Sequence, residues 1–183
     1  MRDPSIGPLQ DAQQSIKLLR TRAEEYNIDA DKVGIMGYSA GGHLAASAGI
    51  FHEKQLIPNE EQINLRPDFM ILVYPVISMD TIIGHKGSTY NLLGATPTEE
   101  QIKNFSLEQH INTKTSPAFI TIAANDDMLA GAVLACGAFE KKSVSFEAHI
   151  YSTGNHGYLK YPAFADWTRL LFDWMKVNNW LSQ

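Results

Sequence analysis

Apolar residues open the chain at three- and four-residue steps. Leu9, Ala12, Ile16, Leu19 and Ala23 form one stripe, which predicts an amphipathic helix from about Leu9 to Tyr26. The period then changes. Short apolar runs near 32–37, 69–74, 118–124 and 146–151 have strand length and predict four strands. Helix-compatible stretches lie between them near 40–50, 98–104 and 129–142. Phe164, Trp167, Leu171 and Trp174 define a last helix, whose aromatic stripe is expected to face the core. Helices alternating with strands imply an α/β fold, a mostly parallel sheet covered by helices on both faces. The stretch from Ser78 to Ser116, with Gly84, Gly87, Gly94 and Pro97, interrupts this order. It reads equally as a partial lid or as a long surface excursion.

Composition narrows the picture. With 183 residues, 44% of them hydrophobic, the chain can bury one core, so residues 1–183 are read as a single domain. A net charge of −5 with mixed signs leaves no basic footprint, and no nucleic-acid partner is expected. The single Cys136 excludes an internal disulfide and reads as a small buried residue. No Cys/His cluster has zinc spacing and no glycine motif suits a phosphate, so neither metal nor cofactor is expected. There is no apolar run of about 18 residues, and Met1-Arg2-Asp3-Pro4 does not begin a signal peptide. As written the chain is expected in the cytoplasm, with no membrane partner. Secretion or a periplasmic location stays open if the N-terminus is truncated.

The chemistry concentrates in Gly37-Tyr38-Ser39-Ala40-Gly41, a G-x-S-x-G pattern between the strand-like Lys32 to Met36 and the small-residue run Gly42 to Ala48. This is the setting of a nucleophile elbow, where a strained strand-to-helix turn pushes a Ser hydroxyl out above a sheet. The flanking glycines are expected to let neighbouring backbone approach the turn. Such a Ser needs a base and a group that orients it, in the chain order acid, then His.

Of six histidines, His156 is the candidate base. It lies in the turn-rich Ser152-Thr153-Gly154-Asn155-His156-Gly157, just after a strand-like run, where parallel α/β sheets keep their sites. His43 falls inside a helix, His149 inside a strand, and His52, His85 and His110 in polar connections. The acid should also follow a strand, and Ala118 to Ala124 ends in Asn125-Asp126-Asp127. The residues leave both carboxylates open. One would orient the imidazole and the other would cap the helix beginning near Leu129.

These stretches resemble the α/β-hydrolase superfamily, and within it bacterial esterases such as acetyl esterases, acetylxylan esterases and feruloyl-esterase-like proteins. The likeness rests on Leu9-Gln10-Asp11-Ala12 and Gly37-Tyr38-Ser39-Ala40-Gly41-Gly42-His43-Leu44-Ala45. It continues through Tyr74-Pro75-Val76-Ile77, Asn91-Leu92-Leu93-Gly94, the acid loop, Gly154-Asn155-His156-Gly157 and the Trp167…Trp174 helix. The resemblance implies Ser39, Asp127 and His156 as a catalytic triad, with the Ala40 N–H as an oxyanion donor. It favours Asp127 over Asp126, since two residues precede the family's Val-Pro position, although Ala130-Gly131 stands there. The family's N-terminal strands and His-Gly-Gly-Gly loop have no match, so a partial fold lacking those strands is expected.

The activity implied is serine carboxylester hydrolysis of short acyl groups, acetyl foremost, on small-molecule esters and carbohydrate, through an acyl-enzyme. Two alternatives stand beside it: a truncated, catalytically weak domain serving as a scaffold, and a serine peptidase. A strand from Val33 to Met36 without its N-terminal neighbour would expose an edge, so a homodimer is expected.

Overall fold

The computed structural model describes residues 5–158 and 161–181. In chain order its elements are α1 (Gly7–Thr21), α2 (Ala23–Tyr26), β1 (Ile35–Tyr38), α3 (Ala40–Ile50), β2 (Met70–Val73), α4 (Lys86–Leu93) and α5 (Glu99–Phe105). After a 3-10 turn at Leu107–Gln109 come β3 (Ala118–Ala123), α6 (Leu129–Lys141), β4 (Phe146–Tyr151) and α7 (Phe164–Val177).

The four strands form one parallel sheet in the order β1-β2-β3-β4. Every residue of β2 and β3 is buried, as expected of strands covered on both faces. On one face Ala45, Ala46 and Ile50 of α3 and Ala135 and Phe139 of α6 pack on Met70, Leu72, Ala118 and Ile120. On the other, Trp167, Leu171 and Trp174 of α7 pack on Phe69, Ile71, Val73 and Phe119. Three residues of the expected stripe therefore belong to the core, whereas Phe164, the first of the four, is 69% exposed. Burying each such side chain contributes roughly 1.5–3 kcal/mol. A parallel sheet with helices on both faces matches the expectation from the sequence.

Boundaries moved in two places. The helix expected from Leu9 to Tyr26 breaks at Arg22, whose φ of −114° and ψ of 24° leave the helical region, and α2 then ends at the left-handed Asn27. The strand expected near 32–37 starts at Ile35, because the Val33 N–H donates to the Asp68 side chain at 2.7 Å instead of joining a ladder. Ser78 to Ser116, expected as lid or excursion, carries α4, α5 and the 3-10 turn. Cys136 is half-buried against the core. Met1 to Pro4 lie outside the described residues. Among the described residues, no helix is long and apolar enough to cross a membrane.

Candidate active site

The turn between β1 and α3 carries Ser39 at φ 54° and ψ −119°, a conformation uncommon for a residue with a Cβ. Backbone bonds hold it there. The Ser39 N–H donates to Val73 at 3.1 Å, and its carbonyl accepts from Val76 and Gly42 at 3.0 Å each. A Cβ on Gly37 would stand 2.0 Å from the Gly41 carbonyl oxygen, and one on Gly42 would stand 2.7 Å from Pro75. Close approach therefore requires glycine at 37 and 42. Gly41 was expected to share that role, but a Cβ there meets nothing within 4 Å. Ala40 is the first residue of α3, so its N–H is one of the first-turn amides that have no acceptor within the helix.

The Ser39 Oγ lies 2.7 Å from His156 Nε2, across 117 residues of sequence. On the far side of the ring, His156 Nδ1 lies 2.9 Å from Asp126 Oδ2. A carboxylate only accepts, so the proton belongs on Nδ1, which leaves Nε2 free to accept from the Ser hydroxyl. The Asp126 side chain is fully buried, whereas the imidazole is 43% exposed. Tyr74 lies edge-on to the imidazole, ring centres 5.1 Å apart.

The carboxylate that meets the His156 imidazole is therefore Asp126 and not Asp127, a correction to the sequence reading. The turn that closes with Asp126 N–H donating to the Ala123 carbonyl points Asp126 inward, while Asp127 is exposed. The division of labour expected between the two also fails. One Asp126 oxygen meets His156 and the other accepts the Met128 N–H at 2.8 Å in the turn before α6, a helix that no side chain caps. The resemblance misdirected the assignment by one residue, and no local pattern separates two adjacent aspartates.

The other histidines lie elsewhere. His43 is buried, donates from Nε2 to the Phe105 carbonyl at 2.8 Å, and has its pKa pushed down to about 4 by burial, the Phe105 bond opposing this. His85 caps α4, His110 meets the Lys103 carbonyl, His52 meets the Lys114 carbonyl, and His149 pairs with Glu147. A cavity of about 520 Å³ begins at Ala40 and Gly41 and continues between α1, α3 and α4 to Phe51 and Phe105. The irregular stretch thus forms one wall beside the elbow, a role the sequence left open. Among the described residues, no cluster of His, Cys, Asp or Glu could hold a metal ion.

This geometry accompanies clear likenesses. The model of the BD-FAE family matches residues 4–132. Endo-1,4-beta-xylanase B of Butyrivibrio fibrisolvens is 36% identical over 154 residues, covering 82% of this chain and 24% of that protein. Acetylxylan esterase of Xylanibacter ruminicola is 33% identical over 184 residues, covering 95% of this chain and 35% of that protein. The chain thus spans a quarter to about a third of the curated relatives it matches. The acetyl ester-xyloside bifunctional hydrolase of Caldicellulosiruptor lactoaceticus superposes with a TM-score of 0.85 at 32% identity, over 95% of this chain and 66% of that one. Carboxylesterase Cest-2923 of Lactobacillus plantarum shares the fold, with a TM-score of 0.78 at 21% identity, over 99% of this chain and 72% of that one.

Proposed function

The chain belongs to the BD-FAE family, and from that premise we propose that it is a serine ester hydrolase releasing short acyl groups, acetyl foremost, from carbohydrate esters. The observation that carries this reading is the relay Ser39–His156–Asp126, with its contacts of 2.7 and 2.9 Å. The names of the xylan-acting relatives support the substrate class.

The chemistry follows from the relay. The Ser39 hydroxyl passes its proton to His156 Nε2 while Oγ bonds to the ester carbonyl carbon. Charge collects on the carbonyl oxygen, where the Ala40 N–H donates. As the tetrahedral centre collapses, the bond to the alcohol oxygen breaks and His156 returns its proton to that oxygen. Water activated by the same imidazole then cleaves the acyl-enzyme and frees the acid. Asp126 holds the tautomer that each step needs. Such an oxyanion donor is typically worth about 10²–10³ in rate.

Self-association is part of the same proposal. The Ile35 and Ser39 N–H groups point to Phe69 and Val73, so the intervening Met36 and Tyr38 turn their backbone groups to the open side of β1. Both side chains are exposed. A twofold pairing of two such edges would satisfy those groups. Light scattering over a dilution series should show a dimer, and a stable micromolar monomer would refute this part.

The test of function is turnover of a small activated acetyl ester and of acetylated xylo-oligosaccharide by the purified protein. Ser39→Ala should abolish both activities and His156→Ala nearly so. Equal turnover by wild type and Ser39→Ala would overturn the reading. Cleavage of peptide amides in preference to esters would favour a peptidase.

A further inference from the structure

His156 sits in a segment that regular structure does not hold. Gly154, Asn155, Gly157 and Tyr158 have φ of 156°, 53°, 95° and 52°, so four of the five residues around the base have positive φ. Such a run makes no repeating ladder, and the imidazole is 43% exposed. Something else must keep the ring between Ser39 and Asp126.

Two ties flank it, and both come from β3 and the turn that follows. On the C-terminal side, Tyr158 Oη lies 2.9 Å from Oγ1 of the buried Thr121. On the N-terminal side, the Asn125 amide closes a ring with Asn155. Its Nδ2 donates to Asn155 Oδ1 at 2.8 Å, and its Oδ1 accepts the Asn155 N–H at 3.0 Å. The same Nδ2 lies 3.4 Å from Thr153 Oγ1. A donor and an acceptor on one planar group are needed together, which excludes a carboxylate, and a flipped amide would mispair both contacts. Asn125 immediately precedes Asp126 and Asn155 immediately precedes His156, so this pair joins the acid turn to the base loop next to the relay itself.

We infer that Asn125 is a positioning residue for His156: its amide clamps Asn155 and so fixes the imidazole against both Ser39 and Asp126. This rests on the ester-hydrolase reading above. A base displaced by even about 1 Å costs up to roughly 10²-fold, whereas substrate binding does not depend on the clamp. The pair is exposed, so its loss changes the geometry of the loop more than the stability of the fold.

The test is kinetics and hydrogen exchange on purified variants, with the small acetyl ester as probe. Asn125→Ala should lower kcat about 10- to 100-fold with KM within about twofold, and leave the melting midpoint nearly unchanged. Asn155→Ala removes only one of the two bonds and should cost less. It should add nothing in the Asn125→Ala background, since two changes to one interaction do not multiply. Independently of turnover, amide exchange in 154–158 should speed up in Asn125→Ala while β3 and β4 keep their protection. Wild-type kcat in Asn125→Ala, unchanged exchange, or single losses that multiply in the double variant would each overturn the clamp. Ser39→Ala separates the two levels. If it is inactive while Asn125→Ala is unimpaired, only the clamp fails. If it turns over normally, the ester-hydrolase reading fails.

Discussion

β3 and β1 both end in the site, yet they are built differently. β3 has six residues, all buried, and pairs with a strand on each side. From the turn after it come Asp126 and Asn125, and from its middle Thr121, three side chains that hydrogen-bond the base loop. β1 has four residues and, among the described residues, pairs only with β2, and its Met36 and Tyr38 are each 41% exposed. Ser39 thus stands at the end of the edge strand of the described sheet. Its strained backbone is secured by bonds to Val73 and Val76 across the strand gap. Asp126 is placed by burial and His156 by side-chain hydrogen bonds to its loop; Ser39 is placed by a few backbone hydrogen bonds.

The sharpest way to test that contrast is at the acid. Asp126→Asn should cut kcat by about 10⁴, because the imidazole then loses the tautomer it needs. Asp127→Asn should stay within about threefold, a difference that initial-rate kinetics reads directly. Equal losses would mean that the buried carboxylate is not the partner of His156.

The next contrast is in stability. Phe119→Ala on β3 should cost about 3–5 kcal/mol in urea denaturation, since a fully buried ring leaves a cavity. Met36→Ser on β1 should cost roughly 0.5 kcal/mol or less in the monomer. A larger penalty at Met36 than at Phe119 would invert the picture of a packed half and an open half.

The side of Ser39 carries a buried histidine, His43 on α3, and it gives a pH signature. Burial holds its pKa at about 4 in the folded chain, against an ordinary 6.5. Above 6.5 the ring is neutral in both states. Between 6.5 and 4 the unfolded chain takes up a proton that the folded chain refuses, so stability falls as pH falls, by about 3 kcal/mol across that window. Denaturation midpoints at pH 7 and 4.5 should show the drop, and His43→Gln should flatten it.

The smallest effect is expected at Gly41. Its missing Cβ faces open space within α3, so Gly41→Ala should raise stability by about 0.5–1 kcal/mol through helix propensity alone. A loss in thermal unfolding would show that the cavity beside the elbow is tighter than its walls indicate.

Local pattern was enough for much of this molecule. The strand–turn–helix around Ser39, the strand-end placement of His156 and the core-facing Trp167 and Trp174 all follow from periodicity and turn chemistry, which act over a few residues. The break at Arg22 and the late start of β1 at Ile35 were not legible. They depend on Asp68, which is distant in sequence and takes the Val33 N–H, and on a backbone turn that no spacing announces.

By itself, then, the sequence determined which residues could do chemistry and which ends of which strands would carry them, because hydrophobic period and glycine placement are properties of the chain alone. Tertiary structure alone decided that Asp126 and not Asp127 faces the imidazole, that the same carboxylate also holds the Met128 N–H before α6, and that Asn125 bonds the loop at Asn155. Adjacent residues in a turn differ only in direction, and direction is set by what the neighbouring strand buries.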